Sequence, residues 1–256
     1  MPKGFETVLV TGASAGIGAA CARAFAREGA RLVLAARRRE RLEELAAELG
    51  GEHGAECLLI DLDVRDAAAV EAAIGALPAE WAAVDVLVNN AGLGRGLDRL
   101  HEGSPADWDE MVDTNVKGLL YVTRAVVPGM VARGRGHVIN LGSVAGHEVY
   151  PGGAVYCATK HAVAALTQGL RMDVLGTGVR VSTVDPGMVE TEFSTVRFKG
   201  DEDRARRVYA GMTPLSADDI AETVLWCATR PPHVNIDQII IKPTDQASAT
   251  MVHRER

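Results

Sequence analysis

ETVLVTGASAGIGAACARAFAREGARLVLAA, residues 6–36, reads as a strand, a glycine-rich loop, a helix and a second strand. Segments 6–12 and 30–36 are nearly continuous apolar runs rich in β-branched residues, whereas 16–28 is Ala/Arg-rich with helical periodicity. Strands apolar on both faces belong to a parallel sheet covered by helices on both sides. The alternation continues outward. Further strands are expected at 55–64, 84–92, 136–143, 179–187 and 237–243, and helices at 39–49, 66–77, 105–133, 155–175 and 216–229. Ser104-Pro105 and Ser216 supply helix starts, and Gly29 and Gly50 supply stops. The expectation is a single doubly wound α/β domain over 1–256, with a seven-stranded parallel sheet. The polar stretch 190–214 breaks the rhythm after the sixth strand. An insert at that end of a strand lies over the ligand crevice, so it is read as a substrate lid.

Composition removes other classes. The 256 residues are 47% apolar and 24% charged, which excludes a disordered or collagen-like chain. A formal charge of −7 disfavours nucleic acid and anionic membrane, since nothing offsets phosphate repulsion. No apolar run reaches the ~20 residues of a membrane span. MPKGFETVLVTG runs straight into a strand with no signal-peptide pattern, so a cytoplasmic protein is expected. Cys21, Cys57, Cys157 and Cys227 form no C-x-x-C pair, and His101, His137, His147 and His161 have no metal-site spacing, so no metal is expected.

The loop Gly12-Ala13-Ser14-Ala15-Gly16-Ile17-Gly18 joins the first strand to the first helix. Glycine is needed there for a tight turn, for close approach of a phosphate to backbone N–H groups, and for helix–strand packing. The spacing G-x-x-x-G-x-G departs from the commoner G-x-G-x-x-G, but its placement fits a Rossmann-type dinucleotide site. The second strand ends at Ala36, where an NAD-binding fold places an acid for the ribose 2′-hydroxyl. Arg37 and Arg38 stand there instead. A guanidinium binds a 2′-phosphate bidentately, so NADP is favoured. The rest of RRRERLEEL (37–45) reads as a solvated helix face.

Tyr156 and Lys160 stand four apart in a helical stretch and so share a face, about 5–6 Å between Cβ atoms. The ammonium is expected to lower the tyrosine pKa from ~10. Ser143 ends the fifth strand, where its hydroxyl can hold a substrate oxygen beside the phenol. Asn115 lies among apolar neighbours within a helix, either as a satisfied structural group or as a residue positioning water or Lys160. Asn89-Asn90-Ala91-Gly92 closes the fourth strand and Pro186-Gly187 the sixth, both at the end where such sheets bind ligands.

In this order and spacing the motifs resemble the short-chain dehydrogenase/reductase family over nearly the whole chain. The resemblance implies Tyr156 as proton donor/acceptor, Lys160 on the nicotinamide ribose, Ser143 on the substrate carbonyl, and Asn115 holding a relay water. It further implies Asp63 and Val64 at the adenine, Asn90, Ala91 and Gly92 along the cofactor, and Pro186, Gly187, Val189 and Thr191 near the pyrophosphate or carboxamide. LPAEW (77–81), TRAVVPGMV (123–131), TEFSTVRFKGD (191–201) and PPHVNIDQIIIKPTDQ (231–246) look like a narrower group, the NADP-dependent 3-hydroxy acid dehydrogenases, including serine and allo-threonine dehydrogenases. That group implies a cytoplasmic homotetramer that oxidises a small-molecule 3-hydroxy acid or 3-hydroxy amino acid. A 3-oxoacyl or general carbonyl reductase of the same family is the alternative. A hydroxy acid brings a carboxylate into a water-excluding crevice, so the lid is expected to supply a cation. Arg197 suits that role better than Lys199; the competing reading leaves both on a solvated or intersubunit loop.

Overall fold

The computed structural model describes residues 5–255, so the reading of residues 1–4 and the outermost bounds of 1–256 lie outside the described residues. Strands β1 (Thr7–Thr11), β2 (Arg31–Ala36), β3 (Cys57–Asp61), β4 (Val86–Asn89), β5 (Gly136–Leu141), β6 (Val179–Pro186) and β7 (Gln238–Ile241) form one parallel sheet in the order β3-β2-β1-β4-β5-β6-β7. The order reverses between β1 and β4, and the crevice beyond the carboxyl ends of these strands is where doubly wound folds hold ligands. The register pairs Val8 with Leu32 and with Val86 across the centre.

The helices are α1 (Gly16–Arg27), α2 (Arg39–His53), α3 (Ala67–Gly75), α4 (Pro105–Val112), α5 (Leu119–Arg133), α6 (Ala154–Asp173), α7 (Phe193–Arg197), α8 (Glu202–Tyr209) and α9 (Ala217–Ala228). A π-helical turn, Asp113–Gly118, joins α4 to α5 without a break. The apolar runs work as a two-sided core. Val8, Val10, Leu32 and Leu34 face Phe25 of α1, Leu42 and Leu49 of α2, and Ile220 of α9. Leu9, Val33 and Leu87 point the other way, onto Val70 of α3 and Val122, Val126 and Met130 of α5.

Several boundaries differ from the expectation. Helix α2 runs through Gly50 and stops at Gly54, which takes the left-handed conformation at φ 63°. The N–H of Ala55 returns to the carbonyl of Leu49 at 3.2 Å, a Schellman-type end that only one of the two glycines can make. Among the described residues Ser104 makes no side-chain cap, although Pro105 does open the helix. Ser216 caps α9 through a reciprocal pair with Asp219. The strand expected over 84–92 ends at Asn89, because the next residues turn away to bond the glycine loop. The stretch 190–214 carries α7 and α8, and the hydroxyl of Tyr209 ties α8 back to the carbonyl of Val189 at 2.8 Å.

Candidate active site

The ends of β1, β4, β5 and β6 open into a cavity of about 550 Å³ lined at one end by the glycine loop and Arg37–Arg38, and at the other by Ser143, Tyr156 and Arg197. Gly12 sits at φ +65°, and a Cβ there would lie 2.9 Å from Asn90 Nδ2 and 3.0 Å from Ala91 Cα. At Gly18 a Cβ would fall 2.4 Å from the carbonyl of Gly12, so the helix can meet the loop only as glycine. Asn90 binds the loop in turn, its amide donating to the carbonyls of Thr11 (2.9 Å) and Gly12 (3.2 Å).

Not every loop residue faces the cavity. Ser14, Ala15, Gly16 and Ile17 line it, whereas Ala13 and Gly18 do not. Ala13 is fully buried, its N–H on the carbonyl of Ala35, and Gly18 is consumed by packing; both shape the loop from behind. Asp63, Val64, Asn90, Ala91, Gly92, Pro186, Gly187, Val189 and Thr191 all reach the cavity wall. The Asp63 carboxylate is gripped by Arg65 Nε at 2.9 Å, which holds its pKa below the usual range, with Arg37 4.0 Å away. Arg38 donates to Ser14 Oγ at 3.2 Å and pairs with Glu192 at 2.9 Å.

Strand β5 delivers Ser143 and helix α6 delivers Tyr156 and Lys160. Ser143 Oγ accepts the N–H of Ala145 at 3.1 Å. Lys160 Nζ donates to the carbonyl of Leu141 at 2.8 Å and lies 5.9 Å from the Tyr156 ring centroid. The expectation that Lys160 depresses the tyrosine pKa is corrected here. Burial pushes the phenol well above its ordinary value, and the main opposing influence is the Arg197 guanidinium, 4.9 Å over the ring. Lys160 Nζ is engaged by the Leu141 carbonyl, and its charge is favoured by that of Asp185.

Asn115 occupies the π-helical turn. Its Oδ1 accepts the N–H of Leu93 at 2.8 Å, and its Nδ2 donates to the Leu93 carbonyl at 2.8 Å and to Thr159 Oγ1 at 3.0 Å. The side chain is therefore a satisfied structural group outside the cavity lining. It remains close to the site, since a Cβ on Gly92 would stand 3.3 Å from Asn115 Oδ1 and 3.8 Å from Lys160 Nζ.

Arg197 and Lys199 separate. Arg197 joins the cavity wall, donating to Tyr150 Oη at 3.1 Å and stacking 4.9 Å over Phe193, and its buried Nε has no partner among the described residues. Lys199 is exposed and paired with Asp107 at 2.9 Å.

Four contributors were missed. Glu192 lines the Arg37–Arg38 end of the cavity and pairs with Arg41, and Tyr150 lines the opposite end. Asp185 is buried under Gly142, where a Cβ would sit 1.8 Å from its Oδ1; its Oδ2 meets His147 Nε2 at 2.7 Å and Gln238 Nε2 at 2.6 Å. Of these, Asp185 alone carried a signal: a charged residue in an otherwise apolar strand run.

Burial lowers the Lys160 pKa to about 8, with Asp185 opposing. The folded chain therefore releases this proton before the unfolded chain does, and the burial penalty is felt in full below about pH 8. From there to the unfolded value of ~10.4, wild type should gain on the order of 2 kcal/mol relative to Lys160→Met. Denaturant unfolding of both chains at pH 7 and pH 10 checks this; a pH-independent difference would contradict it.

The family model described as short chain dehydrogenase matches residues 6–202. The NADP-dependent 3-hydroxy acid dehydrogenase of Salmonella typhi is 51% identical over 249 residues, 96% of this chain and 99% of that one. The enzyme of the same description from Schizosaccharomyces pombe is 43% identical, covering 98% and 97% of the two chains. Among solved structures, the closed form of a serine dehydrogenase complexed with NADP+ superposes with a TM-score of 0.91 at 48% identity, over 97% of this chain and all of that one. With the glycine loop, the Ser143/Tyr156/Lys160 cluster and the parallel sheet all in place, the chain belongs to the short-chain dehydrogenase family.

Proposed function

We propose that this chain is an NADP-dependent dehydrogenase of small 3-hydroxy acids or 3-hydroxy amino acids, interconverting the 3-hydroxyl and the 3-oxo group. The observation that carries the substrate half is Arg197: a guanidinium in the cavity wall, stacked on Tyr156, whose buried Nε has no partner among the described residues. Such a group matches a carboxylate bidentately. The relatives described as 3-hydroxy acid and serine dehydrogenases support the same substrate class.

The cavity suits a phosphorylated dinucleotide. The glycine loop leaves no room for side chains where backbone must approach phosphate, and Arg37, Arg38 and Arg41 concentrate positive charge beyond the end of β2. Ser14 to Ile17 would hold the pyrophosphate, Arg37 and Arg38 the 2′-phosphate, and Asp63 and Val64 the adenine. Asn90, Ala91, Gly92, Pro186, Gly187, Val189 and Thr191 would frame the rest. When bound, NADP+ supplies the acceptor for the substrate's C3 hydride.

The chain's own groups handle position and protons. Ser143 orients the substrate oxygen, and Tyr156 exchanges the hydroxyl proton with it. Lys160 holds the nicotinamide ribose, while the Arg197 guanidinium over the ring supplies the positive charge that favours the phenolate. Asn115 keeps the widened π-helical turn against Leu93, beside Lys160, where a relay water would sit. Residues 190–214 act as the lid over this end, and the whole chain as one domain.

Nicotinamide absorbance with a panel of 3-hydroxy acids, their esters and neutral alcohols tests the assignment. Preference for a neutral alcohol over every acid would overturn it. The cofactor half has its own test. Arg38→Ala is expected to weaken NADP+ about 10-fold, the low end for a charge-assisted hydrogen bond. The low end applies because this side chain is 44% exposed. NAD+ should change less than about twofold by fluorescence titration, and equal losses would refute the clamp.

The homotetramer and the cytoplasmic location belong to the same reading. Exposed apolar side chains on α5 (Leu120, Val131) and α6 (Met172) offer surface for self-association. Among the described residues no helix is long and apolar enough to cross a membrane. Light scattering of the purified chain checks the assembly.

A further inference from the structure

Glu192 joins two parts of the chain that are far apart in sequence. Its Oε2 accepts from Arg38 Nη1 at 2.9 Å and its Oε1 accepts from Arg41 Nη1, so one carboxylate bridges two guanidinium groups 151 and 154 residues away. Arg38 also reaches Ser14 of the glycine loop, so this is the positive corner where the adenosine end of a dinucleotide would lie. Glu192 immediately precedes α7, the five-residue helix that carries Phe193 and Arg197 onto Tyr156. The other end of α7 is tied separately. Arg95 donates to the Val196 carbonyl, the N–H of Gly96 donates to the Arg197 carbonyl at 3.0 Å, and Lys199 pairs with Asp107.

We propose that Glu192 is a specificity-determining residue for the cofactor: it is the built-in anion of the Arg38–Arg41 pair, displaced by the incoming 2′-phosphate, and its displacement releases the α7 end of the lid. The proposal rests on the NADP reading above. Two guanidinium groups and one carboxylate leave a net +1 to receive a phosphate of roughly −1.5 to −2. A carboxylate held a few ångströms from that phosphate repels it even through water. Either Glu192 swings away and loses both ion pairs, or it stays and the repulsion persists. In both cases the wild-type chain binds a 2′-phosphate less tightly than its arginines alone allow. A cofactor lacking the phosphate leaves Glu192 in place. Because Glu192 and Arg197 flank one short helix, phosphate recognition and the setting of the cation over Tyr156 are linked, and the linkage is reciprocal.

Calorimetric titration with 2′,5′-ADP and with 5′-AMP, which differ only in the 2′-phosphate, tests this on wild type and Glu192→Gln. The glutamate side chain is 43% exposed, so the isosteric change leaves the core untouched. The variant is expected to bind 2′,5′-ADP about 5- to 20-fold tighter than wild type, with 5′-AMP unchanged within about twofold. Amide exchange over 193–197 should speed up when 2′,5′-ADP is added to wild type. In the variant it should already be fast and respond no further. If wild type prefers 2′,5′-ADP but the variant binds it equally or more weakly, Glu192 supports the arginines and the proposal falls alone. If wild type binds both nucleotides equally, the NADP reading falls and takes the proposal with it.

Discussion

Tyr156→Phe is expected to lower kcat by about 1000-fold or more in both directions while leaving the Kd for NADPH within about twofold. The substitution removes one hydroxyl and keeps the ring that packs against Phe193 at 5.5 Å and beneath Arg197. A positioned proton donor or acceptor contributes about 10²–10⁴ in rate, and Tyr150, the other phenol lining this end, has its hydroxyl engaged by Arg197 at 3.1 Å. The pH dependence follows from the site. Burial holds the phenol above its ordinary pKa, so at neutral pH it is present as the proton donor that reduction needs. Oxidation needs the phenolate, whose population grows as pH rises, so kcat/KM for oxidation should climb through the alkaline range. That climb should vanish in Tyr156→Phe. Stopped-flow turnover with NADPH-fluorescence binding in parallel separates the two readouts. Retention of more than about a tenth of wild-type activity would remove Tyr156 from the proton-transfer role.

The sheet was legible because its physics is local. A strand buried on both faces must be apolar throughout, and β1, with all five residues buried, and β2, with five of six, read that way directly. The glycine loop was legible for the same reason, since positive φ at Gly12 and the close approach at Gly18 each demand one residue type. The ends were not. Whether β4 stops at Asn89 or Gly92 depends on Thr11, whose hydroxyl accepts the N–H groups of Asn90 and Ala91, a contact made by folding and not by spacing. Arg41 illustrates the limit most clearly. In RRRERLEEL it looks like any solvated helix arginine, and only the return of the chain at Glu192 pairs it with a residue of the cavity wall. The tyrosine environment misled in the same way. The i,i+4 spacing exposed Lys160, but the cation stacked on the ring arrives from the distant helix α7. Asn115 was visible as buried and polar, yet its partners, the backbone of Leu93 and Thr159, could not be named from its neighbours in sequence.

Arg197→Met is expected to lower the preference for a 3-hydroxy acid over its methyl ester by about 100-fold, chiefly through KM for the acid. Truncating one partner of a buried, hydrogen-bonded charge pair costs about 2–5 kcal/mol, most of it from the charge left behind. Here that charge is the substrate carboxylate, and the nearby phenols of Tyr150 and Tyr156 cannot neutralise it. Methionine is shorter and lacks the guanidinium that stacks 4.9 Å from Phe193 and Tyr156, but its apolar stem fills part of the same space, so the wall keeps much of its packing while its charge is lost. A neutral ester has no carboxylate to satisfy and should be turned over nearly as before. Lys199, two residues on, cannot compensate, because it is held by Asp107. Lys199→Met should accordingly leave the acid-to-ester ratio unchanged. The competing account makes Arg197 a purely structural stack that props α7 against Tyr150. It requires acid and ester to suffer alike in Arg197→Met, so the ratio of the two kcat/KM values decides between them whatever happens to overall activity.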